Sequence, residues 1–131
     1  MTGVDVAHVE LFIPCYLWTL NAQNRMHWAS KSKKIRNARE AGKIVGLSNR
    51  RDLPKFTRCA IEGIPVVTQK SGVLADAGAY QPTLKAVIDG LVDAHIFAND
   101  TADIVTTQNC LGPVRGVRAG LRLTLIGEVQ R

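Results

Sequence analysis

Pro82-Thr83-Leu84-Lys85-Ala86-Val87-Ile88-Asp89-Gly90-Leu91-Val92-Asp93-Ala94 is the stretch whose reading decides the fold. Leu84, Val87, Ile88, Leu91 and Val92 recur at helical spacing, which predicts an amphipathic helix running to about Ala94. Pro82 suits its first turn, where a missing N–H is harmless. His95 completes the apolar stripe and reads as a packed histidine. Lys85 and Asp89 stand four apart at the edge of the stripe, and Asp93 lies further round, towards water. A helix with one apolar face has to bury it against another element.

The flanking sequence supplies those elements. Val6–Ile13 reads as a strand ended by Pro14, and Phe56–Thr68 as a second strand, interrupted near Gly63 or Pro65. Ile104–Cys110 and Gly120–Val129 read as two more; in the last, Leu121, Leu123 and Leu125 alternate with Arg122 and Thr124. Thr19–Arg25 is polar and reads as an ordered loop. Ser30 to about Leu47 reads as a helix capped by Ser30 or Ser32. The expected fold is α+β: one small domain over residues 1–131, order β-α-β-α-β-β, with a mixed sheet of about four strands and two helices.

Charge is distributed unevenly. The 131 residues carry a formal +6, but Arg25–Arg58 holds eleven Lys/Arg against Glu40 and Asp52, a local +9 that leaves −3 for the rest. Lys31, Lys33, Lys34, Arg36, Arg39 and Lys43 fall on the solvent side of the expected helix. Such a face is either merely solvated or fits a polyanion, most simply nucleic acid. The three cysteines, Cys15, Cys59 and Cys110, show no CxxC spacing, so neither a zinc knuckle nor a disulfide framework is indicated, and reduced thiols fit best. No basic start followed by an apolar run opens the sequence, and the longest apolar stretch, near Phe12–Leu20, is too short to span a bilayer. A cytoplasmic protein with no membrane role is expected.

Acid gathers where base is scarce. Five of the eleven acidic residues, Asp76, Asp89, Asp93, Asp100 and Asp103, fall within Asp76–Asp103 around the single Lys85. Clustered carboxylates need a compensating cation, and oxygen ligands suit a divalent metal. Plainer readings stand beside this. Asp89 pairs with Lys85 at i, i+4. Asn99-Asp100 is a turn. Asp76 is a loop residue bonding to nearby amides, and Asp93 is solvated. His27-Trp28 is the other suggestive pair. Trp28 reads first as a core anchor for the basic helix and second as a stacking platform for a base; Trp18 has the same two readings. Arg25 reads as a phosphate or carboxylate contact, or as a plain surface arginine.

Several of these residues together resemble the RusA-type Holliday-junction resolvases, particularly the RusA-like endonucleases of bacteriophages. The family signature has an Asp-rich start, a helix reading roughly Lys-Ala-x-x-Asp-x-Leu, and an acidic residue shortly before a strand. Here that is Asp76, then Lys85-Ala86-Val87-Ile88-Asp89-Gly90-Leu91, then Asn99-Asp100 and Val105. Pro14, Leu20-Asn21 through Asn24-Arg25, and His27-Trp28 resemble the family's Pro…Asn-x-x-Arg-x-His approach to a basic helix. The resemblance implies a homodimeric, Mg²⁺-dependent endonuclease, with Mn²⁺ able to substitute. Such an enzyme resolves Holliday junctions and related branched DNA by phosphodiester hydrolysis, in recombination and repair. A phage-encoded member would work in the host cytoplasm. Asp76 and Asp100 would be catalytic metal ligands, Asp89 a further ligand or the group orienting Lys85, and Lys85 the active-site lysine. Arg25, Lys31, Lys33, Lys34, Arg36 and Arg39 would hold DNA.

One departure matters. Many members open the signature with two aspartates one residue apart; this chain reads Asp76-Ala77-Gly78, with Gly78 where the partner is expected. The alternative is therefore a non-catalytic protein that binds branched DNA, keeping the fold after losing a ligand. A basic interaction protein without a nucleic-acid role is the third reading.

Overall fold

The computed structural model describes residues 4–97 and 101–130. Strand β1 (Val4–Pro14) leads through a short helix α1 (Leu20–Arg25) to the long helix α2 (Trp28–Asn49). Strand β2 (Phe56–Val67) and helix α3 (Gln81–Asp93) follow, then β3 (Val105–Cys110), the two-residue β4 (Val114–Arg115) and β5 (Gly120–Gln130). The fold is α+β. The sheet is mixed, in order β1-β5-β2-β3: β5 lies antiparallel between β1 and β2, while β3 and then β4 run parallel to β2 on its other side. Among the described residues there are three helices and five strands, against the two and about four expected. No helix among them is long and apolar enough to cross a membrane.

Alternation along the strands places the core. Three cross-strand rows face the helices: Val9–Leu125–Ile61, Leu11–Leu123–Gly63 and Ile13–Leu121–Pro65. Most of these side chains are buried, together with Leu84, Val87, Ile88 and Leu91 of α3. A Cβ on Gly63 would stand 2.9 Å from Leu84 Cδ1, so the bare glycine lets α3 sit down on the sheet. The intervening rows, such as Phe12–Arg122–Ile64 and Glu10–Thr124–Glu62, point the other way.

β2 runs unbroken through Gly63 and Pro65, contrary to the expected interruption. The reason is a change of neighbour. Gly63 O accepts from Leu111 N at 2.8 Å and Val67 O from Gly116 N at 2.8 Å, so odd-numbered backbone groups of this stretch face the β3/β4 side. Pairing with β3 ends at Gly63 and pairing with β4 begins at Val66. Pro65 falls in the gap, where its missing N–H breaks no ladder bond.

α2 and α3 cross closely on small residues. Gly42 of α2 abuts the Val87 backbone, Gly90 of α3 abuts the Arg39 carbonyl, and Gly46 meets Leu91, Ala94 and Ile96. Ile35 of α2 shares a cleft with Pro82 and Lys85, whereas Gly46 meets Leu91 and Ala94, so the two N-termini lie at the same end of the crossing. α2 begins two residues before the expected Ser30. Its cap is neither Ser30 nor Ser32 but His27, whose Nδ1 accepts from Ala29 N at 3.2 Å.

α3 ends in a Schellman turn, with Ile96 N donating to Leu91 O (3.1 Å) and His95 N to Val92 O (2.9 Å). His95 takes the left-handed position, φ 61°, and is exposed. It is therefore not the packed histidine expected; Ile96 and Phe97, the next two residues, enter the core instead.

Candidate functional site

The site is best built from the start of α3, because everything around it is fastened there. Thr83, fully buried, donates from Oγ1 to Trp18 O (3.0 Å) and accepts from Trp18 N (3.1 Å), binding the β1–α1 connection to the helix. Trp18 itself is a core residue, 2% exposed, and its Nε1 donates to Gln23 Oε1 at 2.9 Å. That bond, the Thr19 cap on Ala22 N (3.2 Å) and a bond from Leu20 N to Ala79 O (3.0 Å) make residues 20–25 a helix rather than the expected loop. Six residues would not hold a helix by themselves. On the other side, the Gln81 amide bridges to the sheet: Nε2 donates to Gln108 O (2.9 Å) and Oε1 accepts from Cys110 N (3.1 Å).

Lys85 and Asp89 project from this anchored helix. Lys85 Nζ lies 3.1 Å from Asp89 Oδ1, the i, i+4 pair anticipated from the spacing. Both line a cleft of about 220 Å³ whose other walls are Gln23 of α1 and Ile35 of α2, with Pro82 and Ala86. The pair thus sits where all three helices meet, beside the N-terminal half of the basic helix. Gln23 and Ile35 were not among the expected site residues. Gln23 falls in Thr19–Arg25, the stretch that reads as a loop.

The other expected residues divide. Asp76 is exposed on the turn before α3, with its carbonyl accepting from Ala79 N at 3.1 Å. It does not line the Lys85 cleft. Asp100 and Asn99 lie outside the described residues. Among the described residues, no three His, Cys, Asp or Glu side chains gather into a group that could hold a metal ion. Gly78 has φ 84° and open space where a Cβ would stand. The turn needs a residue at ease in the left-handed region, which gives a backbone reason for glycine at that position.

Asp93 is not simply solvated. It accepts two bonds from Arg39, from Nε at 2.6 Å and from the second guanidinium nitrogen at 2.8 Å, and these hold its carboxyl below the usual carboxylate range. Arg39, expected at the DNA, therefore braces α2 against α3. Asp103 accepts from Thr101 Oγ1, a bond that likewise lowers its carboxyl, in the turn leading to β3.

Lys31, Lys33 and Arg36 are exposed along α2, and Lys34 is half-buried. Arg25 is exposed, with its Nε donating to Asn21 O at 3.3 Å. Trp28 is 73% exposed, its ring 5.7 Å from that of His27. The expected core anchor is thus Trp18, and Trp28 stands in solvent at the N-terminus of α2, at the Lys85 end of the helix crossing.

The cysteines are chemically quiet. Burial pushes the thiol of Cys15 up to about 11 and that of Cys59 up to about 12, and raises that of Cys110. All three are free thiols, protonated at neutral pH. Comparison of the sequence with protein-family models and with curated proteins gives no match.

Proposed function

We propose that the chain is a divalent-metal-dependent endonuclease of branched DNA, of the RusA type. The observation that carries this reading is the Lys85–Asp89 pair, set in a cleft at the junction of α3 with α1 and the basic helix α2. Phosphodiester hydrolysis needs an activated water, a neutralised phosphate and a stabilised leaving oxygen. By the resemblance the donor set would be Asp89 with Asp76 and Asp100, all carboxylates, the chemistry that Mg²⁺ or Mn²⁺ accepts, and the exposed Asp76 would have to join the Lys85 cleft from outside it. When bound, such an ion would polarise the phosphoryl oxygen and acidify a water.

The chain's own residues do the rest. Lys85 offsets charge building on the phosphate, and Asp89 holds the lysine Nζ in the cleft. Lys31, Lys33 and Arg36 neutralise phosphates away from the chemistry. Trp28 stacks on a base or sugar at the mouth of the site. Two copies in a homodimer would present two such sites to a two-fold symmetric junction, in the cytoplasm of a host cell if the chain is phage-encoded.

The decisive experiment is cleavage of a synthetic four-way junction with Mg²⁺ or Mn²⁺. Parent protein is expected to cut and Asp100→Asn to be inactive; equal cutting by Asp100→Asn would remove the proposed site. One observation favours a second reading. Gly78, at φ 84°, occupies the place of the partner aspartate, as in a branched-DNA-binding protein that has lost its chemistry. Salt-sensitive junction binding without cleavage at any metal concentration would select that reading.

A further inference from the structure

α2 has a second flank. Ile35 and Arg39 face α3, whereas Ser30, Lys33, Lys34 and Asn37 face the end of β1. Between them and Tyr16 runs a groove of about 530 Å³, large enough for a nucleotide. Cys15 lies in it as a protonated, neutral thiol. The lining carries two lysines and no carboxylate.

Tyr16 is the distinctive element. It is 64% exposed, with Lys34 Nζ 4.4 Å from the ring centroid. It also borders a second hollow of about 320 Å³, shared with Tyr80, Thr68 and Gln69. The ring therefore stands as a fin between two spaces. An exposed aromatic flanked by lysines and hydrogen-bonding side chains is the arrangement that takes an unstacked base together with its phosphates. A duplex has no free base face to offer; a strand opened at a branch point has.

We infer that this groove binds one unpaired nucleotide of a DNA strand, its base displacing the Lys34 ammonium from the face of Tyr16 and stacking there, and its phosphates met by Lys33 and the displaced Lys34. The inference rests on the reading of α2 as a DNA-facing helix. It adds a contact on the flank of α2 away from Lys85, so that one face of the helix holds an opened strand while the other borders the chemistry.

The test is binding, measured without metal so that no cutting intervenes. Fluorescence anisotropy in EDTA compares a forked duplex bearing an oligo-dT arm with a blunt duplex of equal length. The parent is expected to prefer the fork. Tyr16→Leu should weaken fork binding about tenfold and leave blunt binding unchanged. Tyr16→Phe, which keeps the ring, should stay within about twofold of the parent. A 2-aminopurine placed in the arm should change fluorescence with the parent and with Tyr16→Phe, but not with Tyr16→Leu. Fork binding that Tyr16→Leu leaves intact, or equal affinity of the parent for fork and blunt duplex, overturns this inference alone. Absence of any DNA binding at low salt overturns the nucleic-acid reading and this inference with it.

Discussion

α3 carries two acid–base pairs one turn apart, and they are built differently. Asp89 is bonded to Lys85 within the helix, Nζ to Oδ1 at 3.1 Å, in a cleft that also opens towards α1 and α2. Asp93 is bonded to Arg39 of another helix through two parallel contacts. The first holds an ammonium, a point charge on a flexible stem. The second is a planar fork committed to a carboxylate, the geometry proteins use to fix one element against another. A basic residue on a basic helix is thus not by that fact available to a polyanion.

The comparison can be broken most severely at Lys85. Lys85→Ala should reduce junction cleavage about 10²- to 10³-fold, the loss typical of removing one charge-stabilising donor. Its thermal unfolding should shift by no more than about 0.5 kcal/mol, as expected of a solvent-facing change. A cleavage rate unchanged from the parent would move the chemistry elsewhere.

Next comes the crossing that Arg39 braces. Gly90→Ala would press a methyl into the Arg39 carbonyl and to 2.7 Å from Lys43 N, both backbone atoms that yield only if α2 moves. A loss of about 1–3 kcal/mol is expected in denaturant unfolding. Asp93→Asn is the smaller probe of the same brace. The pair is half-exposed, so the loss at neutral pH should be up to about 1 kcal/mol. Asp93 is depressed in the folded state, so its contribution is present above the ordinary carboxylate pKa and disappears as pH falls through the folded value. Parent and Asp93→Asn should therefore converge in acid, as read from melting temperatures across a pH series.

Trp28→Ala should be the mildest for the fold, within about 0.5 kcal/mol, because the ring is 73% exposed. It should nonetheless weaken junction binding measured by anisotropy.

What was legible followed from periodicity. The α3 stripe from Leu84 to Leu91, the alternation of β5 and the proline at the start of α3 all report local geometry, and the structure keeps them, while His95 drops out of the stripe because it sits past the helix end. The Lys85–Asp89 pair was legible because its geometry is set by one helix. Arg39–Asp93 was not, since 54 residues separate partners that meet only through a crossing built on Gly42, Gly46 and Gly90. α1 was illegible because bonds from Trp18 and to Ala79 hold it, not propensity. The choice between Trp18 and Trp28 for the core turned on Thr83, which lies one helical turn before Val87 on the buried side of α3 and captures the Trp18 backbone.

The Gln81 amide has a mechanical consequence. By bonding one carbonyl and one N–H of β3, it imitates a short piece of neighbouring strand. α3 is thereby indexed to the sheet, as a gear is keyed to its shaft, and cannot slide along its axis without stripping both bonds. The helix bearing Lys85 is then the stationary jaw of the cleft. Its other walls, Gln23 of α1 and Ile35 of α2, face a helix that is fixed in register with the sheet.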